Sequence, residues 1–109
     1  ADADRGNARQ VMGIAAGQEV IPADFDLDRY NRRAIEKRAD MTYAEAREAL
    51  AAIRAELLAW LDTIDDAALG ARGRHASLKI MSVEEILGVM VWHERTHADD
   101  IARAAGLEA

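Results

Sequence analysis

Residues 82–105, SVEEILGVMVWHERTHADDIARAA, constrain this chain more than any other stretch. Ser82 followed by Glu85 is a capping-box start: the serine oxygen can accept a first-turn backbone N–H while the glutamate reaches back to the cap. Behind it, Ile86, Met90, His93, His97, Ile101 and Ala104 recur at steps of three and four residues, the spacing of one helix face. A long helix with such a stripe needs other elements to cover it, and the rest of the chain reads as that scaffold. Two histidines lie on the stripe itself, one turn apart. At i and i+4 their imidazoles project the same way and can grip one ion.

The remaining segments also read as helices. Residues 2–16 predict a helix with Ala8, Val11, Met12 and Ala15 on its apolar side and Gly17 as its C-cap. A connector follows, containing Pro22. Asp26 or Asp28 can cap a short, highly charged helix through RYNRRAIEKRA, with Tyr30, Ala34 and Ile35 as its inward residues. Thr42 with Glu45 opens a further helix to about Asp65, whose stripe is Ala46, Leu50, Ile53, Leu57, Leu61 and Ile64, widened by Leu58 and Trp60. Arg47 and Arg54 flank that stripe; they read as snorkelling cations or as a cationic rim for an anion. Residues 66–81 read as a loop with a basic centre at Arg72, Arg74 and His75, the histidine being a solvated loop residue. Aromatics make up 5% of the chain and β-branched runs are missing, which argues against a sheet. The expected fold is all-α, an up-and-down helical bundle forming one domain over residues 1–109.

Composition removes several function classes. The formal net charge of −6 disfavours a nucleic-acid surface, which needs clustered Lys and Arg. With no cysteine there is no disulfide framework, thiol nucleophile or thiolate ligand. No apolar run approaches the roughly 20 residues of a membrane span, and no signal peptide is visible. A soluble, cytoplasmic protein without nucleic-acid or membrane partners is the expectation. The opening ADADRGNARQVMGIAAG looks helical from its first residue, so the domain is expected to lack an N-terminal helix or part of one.

The histidine pair carries the chemistry. Burying two imidazoles on one stripe costs free energy unless both find partners, and a divalent ion satisfies both at once. His93 and His97 are therefore the candidate metal ligands. Glu94 and Asp100 are the candidates for proton transfer or for supporting the ligands. His93-Glu94-Arg95-Thr96-His97 also spells H-E-x-x-H, in which Glu94 would be the general base of a zinc peptidase. Against that stand the charged Arg95 inside the motif, the lack of a downstream helix with a third ligand after His97, and the lack of an edge strand to hold a peptide. A second flank of the last helix carries Leu87, Val91, Ala98, Ala102 and Ala105. An apolar arc this wide predicts burial on two sides, by bundle neighbours or by a second subunit in a homodimer.

WHERTHADDI resembles the H-x-x-x-H motif of the DinB-like family, and FDLDRYNRRAIEKRADMTYAEAREALAAIRAELLAWLDTI resembles that family's connector, short helix and long third helix. The resemblance spans nearly the whole chain. It implies a four-helix bundle with a divalent ion, nickel, zinc or iron, held by three histidines, of which His93 and His97 match the last two. The family's first histidine would fall at or just before Ala1. No histidine occurs before His75, and Asp2 and Asp4 are the nearby acidic residues. The resemblance further implies a metal-dependent thiol S-transferase or isomerase acting on a small-molecule substrate, with a low-molecular-weight thiol as cosubstrate. The alternative is a non-enzymatic helical interaction module whose histidines are core residues.

Overall fold

The computed structural model describes residues 2–107, with nothing said of the Asp2 side chain. In chain order the elements are α1 (Asp2–Ala15), α2 (Leu27–Lys37), α3 (Tyr43–Leu61), α4 (Asp66–Gly70), β1 (Arg72–Arg74), β2 (Ile80–Ser82) and α5 (Val83–Ala104). The fold is an all-α bundle in which α1 packs against both α3 and α5.

Local chemistry explains most of the boundaries. Gly17, with φ of +76°, ends α1: its N–H donates to the Ile14 carbonyl at 3.0 Å and Gln18 N–H to the Gly13 carbonyl at 2.8 Å. That is a Schellman motif, which satisfies the last carbonyls of the helix. Asp26 caps α2 by accepting from Arg29 N–H at 3.1 Å, and Thr42 caps α3 by accepting from Glu45 N–H at 3.1 Å. At α5 the capping box forms in full: Ser82 Oγ accepts from Glu85 N–H at 3.0 Å, and Glu85 accepts from Ser82 N–H at 2.9 Å. Hydrogen bonds to the carboxylate from the Ser82 backbone N–H and from the Ser82 side chain, with Arg72 nearby, hold the Glu85 carboxyl below its usual range.

The core consists of Ala8, Val11 and Ile14 from α1, Ile53 and Leu57 from α3, and Val83, Ile86 and Met90 from α5. Each set steps at three or four residues, so the periodic stripes meet as expected. Burying such side chains contributes roughly 1.5–3 kcal/mol each before entropy is counted. Along α5 the core ends at Met90. Farther on, Ile101 is 66% exposed, and on the second flank Leu87 packs on the core while Val91 is 57% exposed, among the described residues.

Three expectations are corrected. Residues 66–81 are not a plain loop. α3 ends at Leu61, short of the expected Asp65, and Asp65 instead caps a separate short helix by accepting from Ala68 N–H at 3.0 Å. Beyond it β1 and β2 pair as an antiparallel hairpin, with Gly73 opposite Met81. A Cβ on Gly73 would stand 2.5 Å from Ile14 Cγ1, so the missing side chain is what lets the hairpin lie on α1. His75 is half-buried rather than solvated. Ile35 is 73% exposed, because the charged α2 lies on the surface and contributes no buried residue. Among the described residues, no helix is long and apolar enough to cross a membrane.

Candidate functional site

One turn of α5 sets His93 beside His97. Their Nε2 atoms lie 3.1 Å apart, with ring centroids at 4.4 Å and the planes nearly perpendicular at 84°. His93 is half-buried and His97 is exposed. Two imidazole nitrogens, each about 2.0–2.1 Å from one ion, would be separated by about 2.8–3.4 Å for angles between square and tetrahedral. The observed spacing fits that requirement. The pair supplies two ligands, and among the described residues no group of three or more His, Cys, Asp or Glu side chains could hold a metal.

His93 also forms part of a cleft of about 370 Å³. One wall is a face of α1 made by Ala3, Gly6, Asn7 and Gln10, at helical steps of three and four. The connector and the start of α2 add Val20, Ile21, Phe25, Leu27 and Tyr30. The hairpin tip adds His75 and Ala76, and α5 adds Val89. The hairpin is held to α1 by side chains of the cleft itself. Gln10, a buried polar residue of the core region, accepts from Ala76 N–H at 3.1 Å, and His75 Nε2 meets Asn7 Oδ1 at 3.1 Å. Burial pushes the His75 pKa below its ordinary value of 6.5.

A family model of the DinB superfamily matches residues 5–101, which takes in most of α1, all the elements between, and α5 through both histidines. The chain belongs to the DinB superfamily. No curated protein and no solved structure matches it.

In this DinB-superfamily chain the other candidate residues have ordinary partners. Glu94 accepts from the Arg54 guanidinium of α3, a link between two helices on the bundle surface. That hydrogen bond and charge raise the Arg54 pKa, with a smaller contribution from Asp4. Asp4 therefore lies within electrostatic reach of Arg54, and Asp2, the other acidic residue considered for the metal, has its side chain outside the described residues. Asp100 pairs with Arg103 one turn on, at 3.3 Å.

Sequence reasoning took His75 for a solvated loop residue and did not single out Asn7 or Gln10. The signal for the last two was present: Ala3, Gly6, Asn7 and Gln10 form a small and polar stripe beside the apolar one on α1, and a stripe of that kind on a packed helix marks a cavity wall. For His75 no local signal of its place in the cleft existed, since its partner Asn7 is 68 residues away.

Proposed function

We propose that this DinB-superfamily member binds a divalent metal ion through His93 and His97 and acts on a small molecule held in the adjoining cleft, as a thiol S-transferase or isomerase. The observation that carries the reading is the pair of nitrogens 3.1 Å apart, one of them on a ring that lines the cleft. When bound, a nickel, zinc or iron ion supplies Lewis acidity, lowering the pKa of a bound low-molecular-weight thiol or water. The chain's own contribution is positional. His93 joins the ligand pair to the cleft, so a molecule lying against Val89 is next to the metal-binding edge. The apolar residues Ile21, Phe25 and Val89 exclude water from one side of that molecule. Glu94, held by Arg54, serves in this reading to fix α5 against α3 rather than to carry protons.

The competing reading is a helical interaction module. It draws support from Val91, Trp92 and Ile101, all large apolar side chains exposed on α5. Titration of the purified protein with zinc and nickel, followed by calorimetry, separates the two. Saturable binding near one ion per chain, lost in His93→Ala and in His97→Ala, supports the metal reading. Equal heats for wild type and both variants remove it.

A further inference from the structure

The cleft's polar groups are arranged as donors. Asn7 Oδ1 and Gln10 Oε1 are both occupied by the hairpin, the first facing His75 Nε2 and the second accepting from Ala76 N–H. The orientation of each amide follows from these bonds. Ala76 N–H can only donate, so Gln10 must present its oxygen. Ser77 N–H donates to His75 Nδ1 at 3.2 Å, so the ring proton is on Nε2, and Asn7 must present its oxygen too. Each amide is left with its NH2 group, and neither NH2 has a partner among the described residues. Among the described residues no buried side-chain nitrogen or oxygen lacks a hydrogen bond, so these NH2 groups are not sealed in the core, and both residues line the cleft. The exposed side of the cleft adds Arg9, which forms no ion pair with any described residue, along with Tyr30 and Asn31. Among the described residues no Asp or Glu lines the cleft, although the chain has 20 of them against 14 Lys and Arg. The imidazoles of His75 and His93 also line it, and its large apolar side chains are Val20, Ile21, Phe25, Leu27 and Val89.

We infer that the cleft is built for a small organic acid with an apolar body, its carboxylate taken by Arg9 and the amide NH2 groups of Asn7 and Gln10. An arginine with neutral donors beside it suits a carboxylate, because charge-assisted hydrogen bonds are about twice as strong as neutral ones. A ligand cation finds no counter-charge among the described residues of the lining. The cleft's size is at the small end of the roughly 300–1,000 Å³ of ligand pockets, which sets the body at about one ring with a short chain. This inference rests on the proposed function for its meaning, since the acid would be the substrate of that reaction, but its binding chemistry does not require the ion.

The test is calorimetric titration of the whole chain with 4-phenylbutyrate, its primary amide and the matching amine 4-phenylbutylamine. Each is run with zinc, with chelator, and in His97→Ala. The acid should bind at least tenfold more tightly than the amide, and the amine should not bind measurably. Arg9→Gln, a change at an exposed position, should bring acid and amide together by weakening the acid far more than the amide. Asn7→Asp keeps an oxygen for His75 and replaces the NH2 by a negative oxygen; it should abolish acid binding. Equal affinity of acid and amide for wild type overturns the inference, as does an acid preference that survives Arg9→Gln. Acid binding that vanishes with chelator and ignores Arg9→Gln also overturns it, because the carboxylate would then be a ligand of the ion, and the metal reading would stand. Arg9-dependent acid binding that is indifferent to zinc upholds the inference even if the metal reading fails.

Discussion

His75 and Asn7 are joined at 3.1 Å across 68 residues of chain, and the bond requires one tautomer of the ring. Nδ1 receives the Ser77 N–H at 3.2 Å and lies 3.0 Å from Ser77 Oγ. The neutral imidazole with its proton on Nε2 satisfies all of these partners. A second proton on Nδ1 would face the Ser77 N–H directly.

A pH dependence of stability follows. The folded-state pKa of His75 lies below the 6.5 of the unfolded chain, because burial penalises the charged ring. Above 6.5 both states carry a neutral ring and the stability contribution is intact. As pH falls below 6.5 the unfolded state takes up the proton first, so stability declines until the pH has passed the lower, folded-state pKa. Urea unfolding at pH 7.5 and 5.5 should show this loss in wild type, and His75→Gln should show less of it. Identical pH slopes in the two proteins would remove His75 from the account.

The hairpin seat on α1 is tested by Gly73→Ala. The new methyl would meet Ile14 Cγ1 at 2.5 Å and Cδ1 at 2.9 Å, on a side chain that is itself in the core. Overpacking of this kind costs about 1–3 kcal/mol. The control is Gly70→Ala, where a Cβ meets nothing within 4 Å. A drop in melting temperature confined to Gly73→Ala is the expected outcome; equal melting of both variants would mean that the hairpin does not sit closely on Ile14.

Metal loading should stabilise the fold. An ion that binds only the native state adds about 2.7 kcal/mol at a hundredfold excess over Kd. Zinc or nickel should raise the melting temperature, chelator should reverse the rise, and His97→Ala should abolish it. If His97→Ala gains as much from zinc as wild type does, the ion is held elsewhere.

Glu94→Gln separates the ion-pair role from the peptidase alternative. The Arg54–Glu94 pair is nearly half exposed on both sides, and exposed pairs are worth at most about 1 kcal/mol. The variant should melt close to wild type and bind metal as wild type does. Neither protein should cleave casein. Cleavage by wild type that Glu94→Gln eliminates, with metal retained, would make Glu94 the general base of a peptidase.

Much of the fold was legible because its determinants are local. Ser82 with Glu85, Thr42 with Glu45, Asp26, and Gly17 each act within one turn of their own position, and each capped or closed the helix its pattern indicated. The apolar stripes of α1, α3 and α5 were equally readable, since they are periodic. The short hairpin was not, because three-residue strands carry too little alternation to register, and what seats them is the absence of a side chain at Gly73. Asp65 was absorbed into the preceding helix although an aspartate after Ile64 can equally start a new one. At the site, His93 and His97 stood out because i and i+4 is itself a short-range pattern. The cleft beside them depends on Asn7, Gln10 and His75 meeting across most of the chain, and no spacing rule reaches that far.

The bond from Ala76 N–H to Gln10 gives the hairpin tip a second meaning. The tip is one wall of the cleft, and the side chains that dock it are the same ones that face whatever fills the cleft. Occupancy and docking are therefore thermodynamically linked: a molecule that binds only the docked form shifts the tip away from its open state in proportion to its concentration. The Ala76 amide becomes a built-in reporter, its exchange with deuterated solvent slowing as the cleft fills while amides on the exposed face of α2 keep their rates.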